Sequence, residues 1–275
     1  MIDKPVEIIG DGKRDDIVIE AADKTVVLFK ADNGRIANLT LRQTGGDYWY
    51  GVDIAQGRLA LEDCDISSQS WSCVTIHSGA DPTLRRNRIH DGKQDGVFVW
   101  DNGKGTLEDN EIFANAFSGV KISDGGNPTL RRNRIHDGGR SGVFVCDNGK
   151  GTLEDNEIFA NAVAGVVITT GGNPTLRSNR IHDEKDFGVF VSGNVQGTLE
   201  DNEIFANAVG GVRITTGGNP TLRRNIISKN GWEGITVCDK GGGTFTDNDL
   251  RDNAKGAWFI EPDCTALVQR KGNIE

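Results

Sequence analysis

The chain has 275 residues, a formal net charge of −9, 37 glycines and only 7% aromatic residues. An acidic balance of that size argues against nucleic acid as a partner, because phosphate binding needs Lys and Arg clustered without acids to cancel them. Abundant glycine with few aromatics suits many tight turns around an aliphatic core rather than a globular aromatic centre.

The chain starts MIDKPVEIIGDG, with no basic segment leading into a long apolar run, and carries no stretch long enough to span a bilayer. A cytoplasmic location without a membrane partner is the expectation. Residues 1–50 contain strand-like runs at irregular spacing and read as N-terminal capping coils. Residues 51–256 carry a regular repeat, and residues 257–275 drop its turn motif and read as a C-terminal cap. A repeat of that extent leaves no room for a boundary, so residues 1–275 form one domain. Neither end offers an amphipathic capping helix, which points to a module of a larger polypeptide, or to an end shielded by a partner or by another copy.

Within the repeat, Asn87, Asn110, Asn133, Asn156, Asn179, Asn202, Asn225 and Asn248 recur every 23 residues. A second period of 46 residues alternates NPTLRRNRIHDG-type segments, from Asp81, Asn127 and Asn173, with GTLEDNEIFANA, from Gly105, Gly151 and Gly197. Each unit holds three extended pieces, as in PTLRR, NRIH and GVFV, separated by turn residues. Alternation turns Leu84, Leu107 and Leu130 inward, with Ile89, Ile112 and Ile135 and the valines Val97 and Val99. Identical apolar residues at a fixed period stack on one another, so the expected fold is an all-β parallel β-helix of about ten coils. At ~4.8 Å per coil it is a rod roughly 50 Å long.

The asparagine column is expected at the corner between the second and third pieces. Asparagine tolerates a left-handed backbone there, and its amide bonds the next coil in a ladder beginning at Asn87. The flanking outward positions read Arg85, Glu108, Arg131, Glu154 and Arg88, Glu111, Arg134, Glu157. Alternating signs turn repulsion between stacked coils into attraction, which sets the register and neutralises the arginines as a polyanion site. The five cysteines are odd in number and fit no metal-ligand spacing, so reduced, mostly buried thiols are expected. His90, His136 and His182 alternate with Phe113, Phe159 and Phe205 in one column. Histidines two coils apart, ~10 Å, cannot share a metal, so stacked rings are expected. No Ser/His/Asp relay and no phosphate loop is expected.

These segments, GNPTLRRNRIHDG with GVFV and GTLEDNEIFANA, resemble the right-handed parallel β-helix repeats of the family associated with carbohydrate-binding proteins and sugar hydrolases. They are similar to bacterial repeat modules found beside signalling domains and to the repeat domain of an F-box type ubiquitin-ligase receptor. The resemblance implies a right-handed coil with three short strands. It also implies that an enzyme of this kind would carry its site on the outward face of the GVFV stack, usually with several carboxylates.

That outward column is expected to read Asp53, Thr75, Phe98, Lys121, Phe144, Val167, Phe190, Arg213, Thr236, Trp258. One acid at one end is not a catalytic pair, so no catalytic residue is assigned. The expectation is a non-catalytic binding or scaffold module for a protein or a carbohydrate ligand. Phe98, Phe144 and Phe190 would be the anchors, Lys121 and Arg213 would steer acidic groups, and Trp100 would stand beside Phe98. The alternative is a carbohydrate-active enzyme, a polysaccharide lyase, hydrolase or epimerase, built on the carboxylates Asp101, Asp124 and Asp147. These share one turn position in successive coils, where capping of the turn is the expected role and calcium the cofactor they would take. No other cofactor is expected.

Overall fold

A computed structural model describes residues 1–275. Its 33 strands form three parallel sheets of 12, 10 and 11 strands, in which each strand pairs with its counterparts one coil before and one coil after. Typical coils place Thr83–Arg85 in the first sheet, Arg88–His90 in the second and Val97–Val99 in the third. The result is an all-β solenoid of about eleven coils, close to the expected ten.

Three-residue strands explain the composition. In the first two sheets the middle residue is buried, as with Leu84 and Ile89, and in the third the two outer residues are, as with Val97 and Val99. The strand order repeats without a slip, Leu84 opposite Leu107 and Val97 opposite Val120, so like stacks on like. One core of 48 buried residues results, almost wholly aliphatic. Phe29 and Phe245 are fully buried near its two ends.

The asparagine ladder is present, with two corrections. It occupies the corner between the first and second strands, since Asn87 lies between Thr83–Arg85 and Arg88–His90. Left-handed backbone belongs to the residue before each asparagine, as at Arg86, Asp109, Arg132 and Asp155, all with φ between 52° and 55°. From Asn110 on, each asparagine Oδ1 accepts both the backbone and the side-chain N–H of the preceding coil's asparagine, both at 3.0 Å for Asn110 and Asn87. Cys64 fills the place before Asn87 and donates its backbone N–H to Asn87 Oδ1 at 2.9 Å. At the other end the ladder continues one coil past Asn248, to Asn273.

A second ladder runs along the turn before the third sheet, through Asn207, Asn230 and Asn253. Earlier in that column Asn115 and Asn161 accept the N–H groups of Gly92 and Gly138, and Glu184 replaces asparagine once. The glycine column beside it, such as Gly142, exists because space is missing. A Cβ there would lie 2.7 Å from Gly165 O and overlap Ile158 Cγ2.

The charge lattice pairs as expected: Arg131 with Glu108 at 2.9 Å, and Arg134 with Glu111 and Glu157 at 3.2 and 3.1 Å. A third column joins it at the left-handed corner, where Arg132 meets Asp109 at 2.9 Å. All five cysteines are free and buried. Burial pushes the Cys64 thiol up to about 11.

The ends are continuations of the solenoid. Glu7–Ile9, Val18–Ala21 and Val27–Phe29 add to the three sheets, and Val268–Lys271 ends the first. The irregular spacing comes from a short 3₁₀ turn at Arg14–Asp16 and another at Pro262–Leu267. No helix is long and apolar enough to cross a membrane.

Candidate functional site

The outer face of the third sheet carries one side chain per coil, because each strand points its two flanking apolar residues into the core. The pairing runs Asp53, Thr75, Phe98, Lys121, Phe144, Val167, Phe190, Arg213, Thr236 and then Phe259. Phe259 stands where Trp258 was expected. Trp258 lies opposite inward Ile235 and packs edge-on against Phe245, ring centroids 5.2 Å apart.

Phe98, Phe144 and Phe190 are half-buried on this face. Their rings are already in use: Lys121 Nζ lies 4.9 Å from the Phe98 centroid, and Trp100 stacks on Phe98 at 5.9 Å. Arg213 lies over both Phe190, at 6.0 Å, and Phe187, at 5.5 Å. Lys121 and Arg213 are thus bound to the aromatic rows rather than free in solvent.

The stretch of this column from Lys121 to Phe190 forms the floor of a groove of about 580 Å³, with Phe98 outside its lining, and the wall comes from the turn preceding the third-sheet strands. Phe117, Arg140 and Val163 supply that wall, and Lys121, Phe144, Val167 and Phe190 the floor. Arg140 caps the Phe117 ring at 4.4 Å. Past Arg213 the same face opens into a second hollow of about 310 Å³, where Lys255 Nζ sits 3.6 Å over the Trp232 ring. Exposed aromatics and aliphatics here include Trp232 at 44%, Phe259 at 48% and Val163 at 39%.

One acid belongs to the first groove. Asp95 is buried, and its Oδ1 accepts the Ser118 backbone N–H at 3.0 Å. Burial pushes its carboxyl above the ordinary range, against the pull of the Ser118 hydrogen bonds and of the Lys121 and Arg140 charges. Asp95, Phe117 and Arg140 were not singled out in the sequence. Phe117 and Arg140 occupy a turn column that reads Gln94, Phe117, Arg140, Val163, Asp186, Val209, with no constant residue type to mark it, and Asp95 heads the column beside it, followed by Ser118 and Ser141.

Asp101, Asp124 and Asp147 do share a turn position, each with left-handed backbone at φ 44°, 48° and 47°. Their carboxylates do not converge. The side chains whose donor atoms lie mutually within 4.8 Å are Glu261, Asp263 and Cys264, at the far end of the rod. Asp101 instead accepts a hydrogen bond from Ser78 Oγ at 3.0 Å.

The second sheet's outer face is closed by the expected ring stack. His90, Phe113, His136, Phe159, His182 and Phe205 follow one another with centroids 4.6–5.5 Å apart. Each histidine Nδ1 meets the next residue's carboxylate, as His136 meets Asp137 at 2.8 Å. Arg88, Arg134 and Arg180 cover the phenylalanines. Asp65, bonded to His90 Nε2 at 2.9 Å, raises the His90 pKa, with Asp91 adding to it.

Known structures share this architecture. The A-module of a mannuronan C-5 epimerase from Azotobacter vinelandii is 18% identical, with a TM-score of 0.79 over 98% of this chain and 89% of that one. A mutant of a periplasmic alginate epimerase gives 13% identity and a TM-score of 0.81 over 98% and 74%. The Dettilon tailspike protein gives 13% and 0.75 over 98% and 62%. At these identities the likeness concerns the fold. No curated protein sequence matches the chain. The family model described as "Right handed beta helix region" matches residues 25–177 and 139–269, and the chain belongs to that right-handed parallel β-helix family.

Proposed function

We propose that the chain is a binding module whose third-sheet groove seats an extended acidic glycan. The observation that carries this reading is the groove itself: apolar rings and aliphatic side chains on floor and wall, with Lys121 and Arg140 both in its lining. Sugar rings lie against apolar edges and faces, and cations held on those rings meet carboxylates or sulfates. A second hollow in line with the first, with Lys255 over Trp232, extends the path for a polymer. Similar folds occur in proteins named for mannuronan, alginate and α-1,3-glucan, which supports a carbohydrate over a protein ligand. Binding draws on preorganisation, since a rod with no segment to order loses little entropy on docking.

The test is a glycan array probed with the wild-type chain and a Phe98/Phe144/Phe190 triple alanine variant, with and without calcium. Acidic glycans should bind, and the variant should lose about 30-fold or more in affinity while keeping its β-sheet spectrum. Equal affinity in the variant removes the groove from the account, and a blank array transfers the reading to a protein partner. Calcium-dependent binding would bring Asp101, Asp124 and Asp147 back into it.

An enzymatic reading of the same groove rests on Asp95, a carboxyl in the groove lining whose pKa burial raises against the pull of the Lys121 and Arg140 charges. Modification of a bound glycan that Asp95→Asn abolishes without weakening binding would establish it.

A further inference from the structure

Near the start of the third sheet's outer face, four polar side chains form one line of hydrogen bonds. Asp53 Oδ1 lies 2.8 Å from His77 Nε2, and His77 Nδ1 lies 2.9 Å from Ser78 Oγ. On its other side Ser78 Oγ donates to Asp101 Oδ2 at 3.0 Å. We propose that Ser78 is an acyl-transfer nucleophile with His77 as its general base and Asp53 as the positioning residue. Its substrates are carboxylic esters of small acyl groups.

The imidazole is held on several sides. Asp53 accepts the Nε2 proton, which leaves Nδ1 as the basic nitrogen, and the Ser78 hydroxyl meets it by turning its hydrogen from Asp101 to Nδ1. Trp100 stacks on the ring, centroids 5.0 Å apart and planes 26° apart, and is itself tied by its Nε1–H to Thr75 Oγ1 at 3.2 Å. Asp53 and His77 are mostly shielded, with 18% of each side chain exposed, whereas Ser78 is open to solvent. A Cβ at neighbouring Gly79 would meet no atom within 4 Å, so an ester carried on a large molecule can approach. The Ser78 backbone N–H has no acceptor in the chain and is the donor available to an oxyanion. The arrangement occurs once: in the next coils the His77–Ser78 pair is replaced by Trp100–Asp101, Ser123–Asp124, Cys146–Asp147 and Thr169–Thr170.

In the reaction, Ser78 Oγ attacks the carbonyl carbon as its proton passes to His77 Nδ1. The bond from that carbon to the alcohol oxygen breaks, and the leaving oxygen takes the proton from Nδ1. Water, deprotonated by the same nitrogen, then cleaves the acyl-serine to a carboxylic acid and free Ser78. The chemistry is independent of what the groove binds.

The experiment treats the folded chain with a fluorophosphonate probe, maps the adduct by mass spectrometry, and follows p-nitrophenyl acetate hydrolysis across pH. The label should fall on Ser78. Ser78→Gly should remove both label and hydrolysis while melting as the wild type does, because glycine suits φ 53° and already occupies the equivalent place at Gly193. His77→Gln should slow labelling about 100-fold or more. Asp53→Asn should slow it and Asp53→Glu should restore part of the rate, which loss of packing alone would not do. Asp101 competes for the Ser78 proton, so Asp101→Gly should speed labelling. A folded wild type unlabelled at Ser78, or labelling that His77→Gln leaves unchanged, overturns the proposal. Slower labelling in Asp101→Gly overturns the assignment of His77 as base.

Discussion

Glu184 is the residue at which a repeat rule is broken inside the core. It takes a place that asparagine holds in neighbouring coils, and its carboxylate accepts the Asn161 backbone N–H at 2.7 Å and the Asn161 side-chain N–H at 3.2 Å. Burial nevertheless pushes its carboxyl up to about 8, with the Asn161 hydrogen bonds pulling back and Asp183 adding to the rise. In the unfolded chain the group titrates near its ordinary 4.5. Between those values the folded chain keeps a proton that the unfolded chain has lost. This group's stabilisation is therefore full below pH 4.5, falls as pH rises, and levels off above about 8. Glu184→Gln should remove that fall: urea unfolding at pH 9 should find the variant more stable by about 2 to 4 kcal/mol, and at pH 4 within about 1 kcal/mol of wild type. Parallel pH curves for the two proteins would show that Glu184 is ionised in the folded chain. The substitution from asparagine to glutamate is plain in the sequence, but the cost is not, because burial of that turn column depends on the coils above and below.

At the scale of one element, the first asparagine ladder behaves as a continuous strip of hydrogen bonds. Asn156 Oδ1 accepts from the Asn133 backbone and side chain, both at 2.9 Å, and its Nδ2 donates to Leu130 O and Asn179 Oδ1, also at 2.9 Å. Asn156→Ala leaves the Asn133 donors and the Leu130 carbonyl buried without this partner. The loss should be about 3 kcal/mol or more by denaturant unfolding, and a loss under about 1 kcal/mol would mean that water replaces the amide. The ladder was legible because one residue type repeats at one spacing. Its corner was not: the left-handed residue is the arginine, aspartate or serine before the asparagine, and the strain of that backbone leaves no mark on residue type. The groove wall was hidden for the same reason, since Phe117, Arg140 and Val163 have nothing in common except their place in the turn.

The whole molecule is held in register by charges of alternating sign over a core that is the same in every coil. Deleting residues 127–172 removes a full 46-residue period and rejoins Gly126 to Asn173, so Glu108 and Glu111 again face arginines, Arg177 and Arg180. Deleting residues 127–149 removes one coil and sets Glu108, Asp109 and Glu111 against Glu154, Asp155 and Glu157. The longer deletion should melt close to wild type, whereas the shorter one should lose about 1 to 3 kcal/mol, partly recovered in 1 M salt. Equal stability of the two would show that the charges do not set register. By itself the sequence determined the solenoid, its inward stacks, its ladder and its charge order, because each depends only on a residue type recurring at a constant spacing. Only the tertiary structure decided where the groove lies, that Phe259 rather than Trp258 faces out, and that Asp53, His77, Ser78 and Asp101 meet. Those contacts join residues of different type from different coils, and stacking the coils is what brings them within hydrogen-bonding distance.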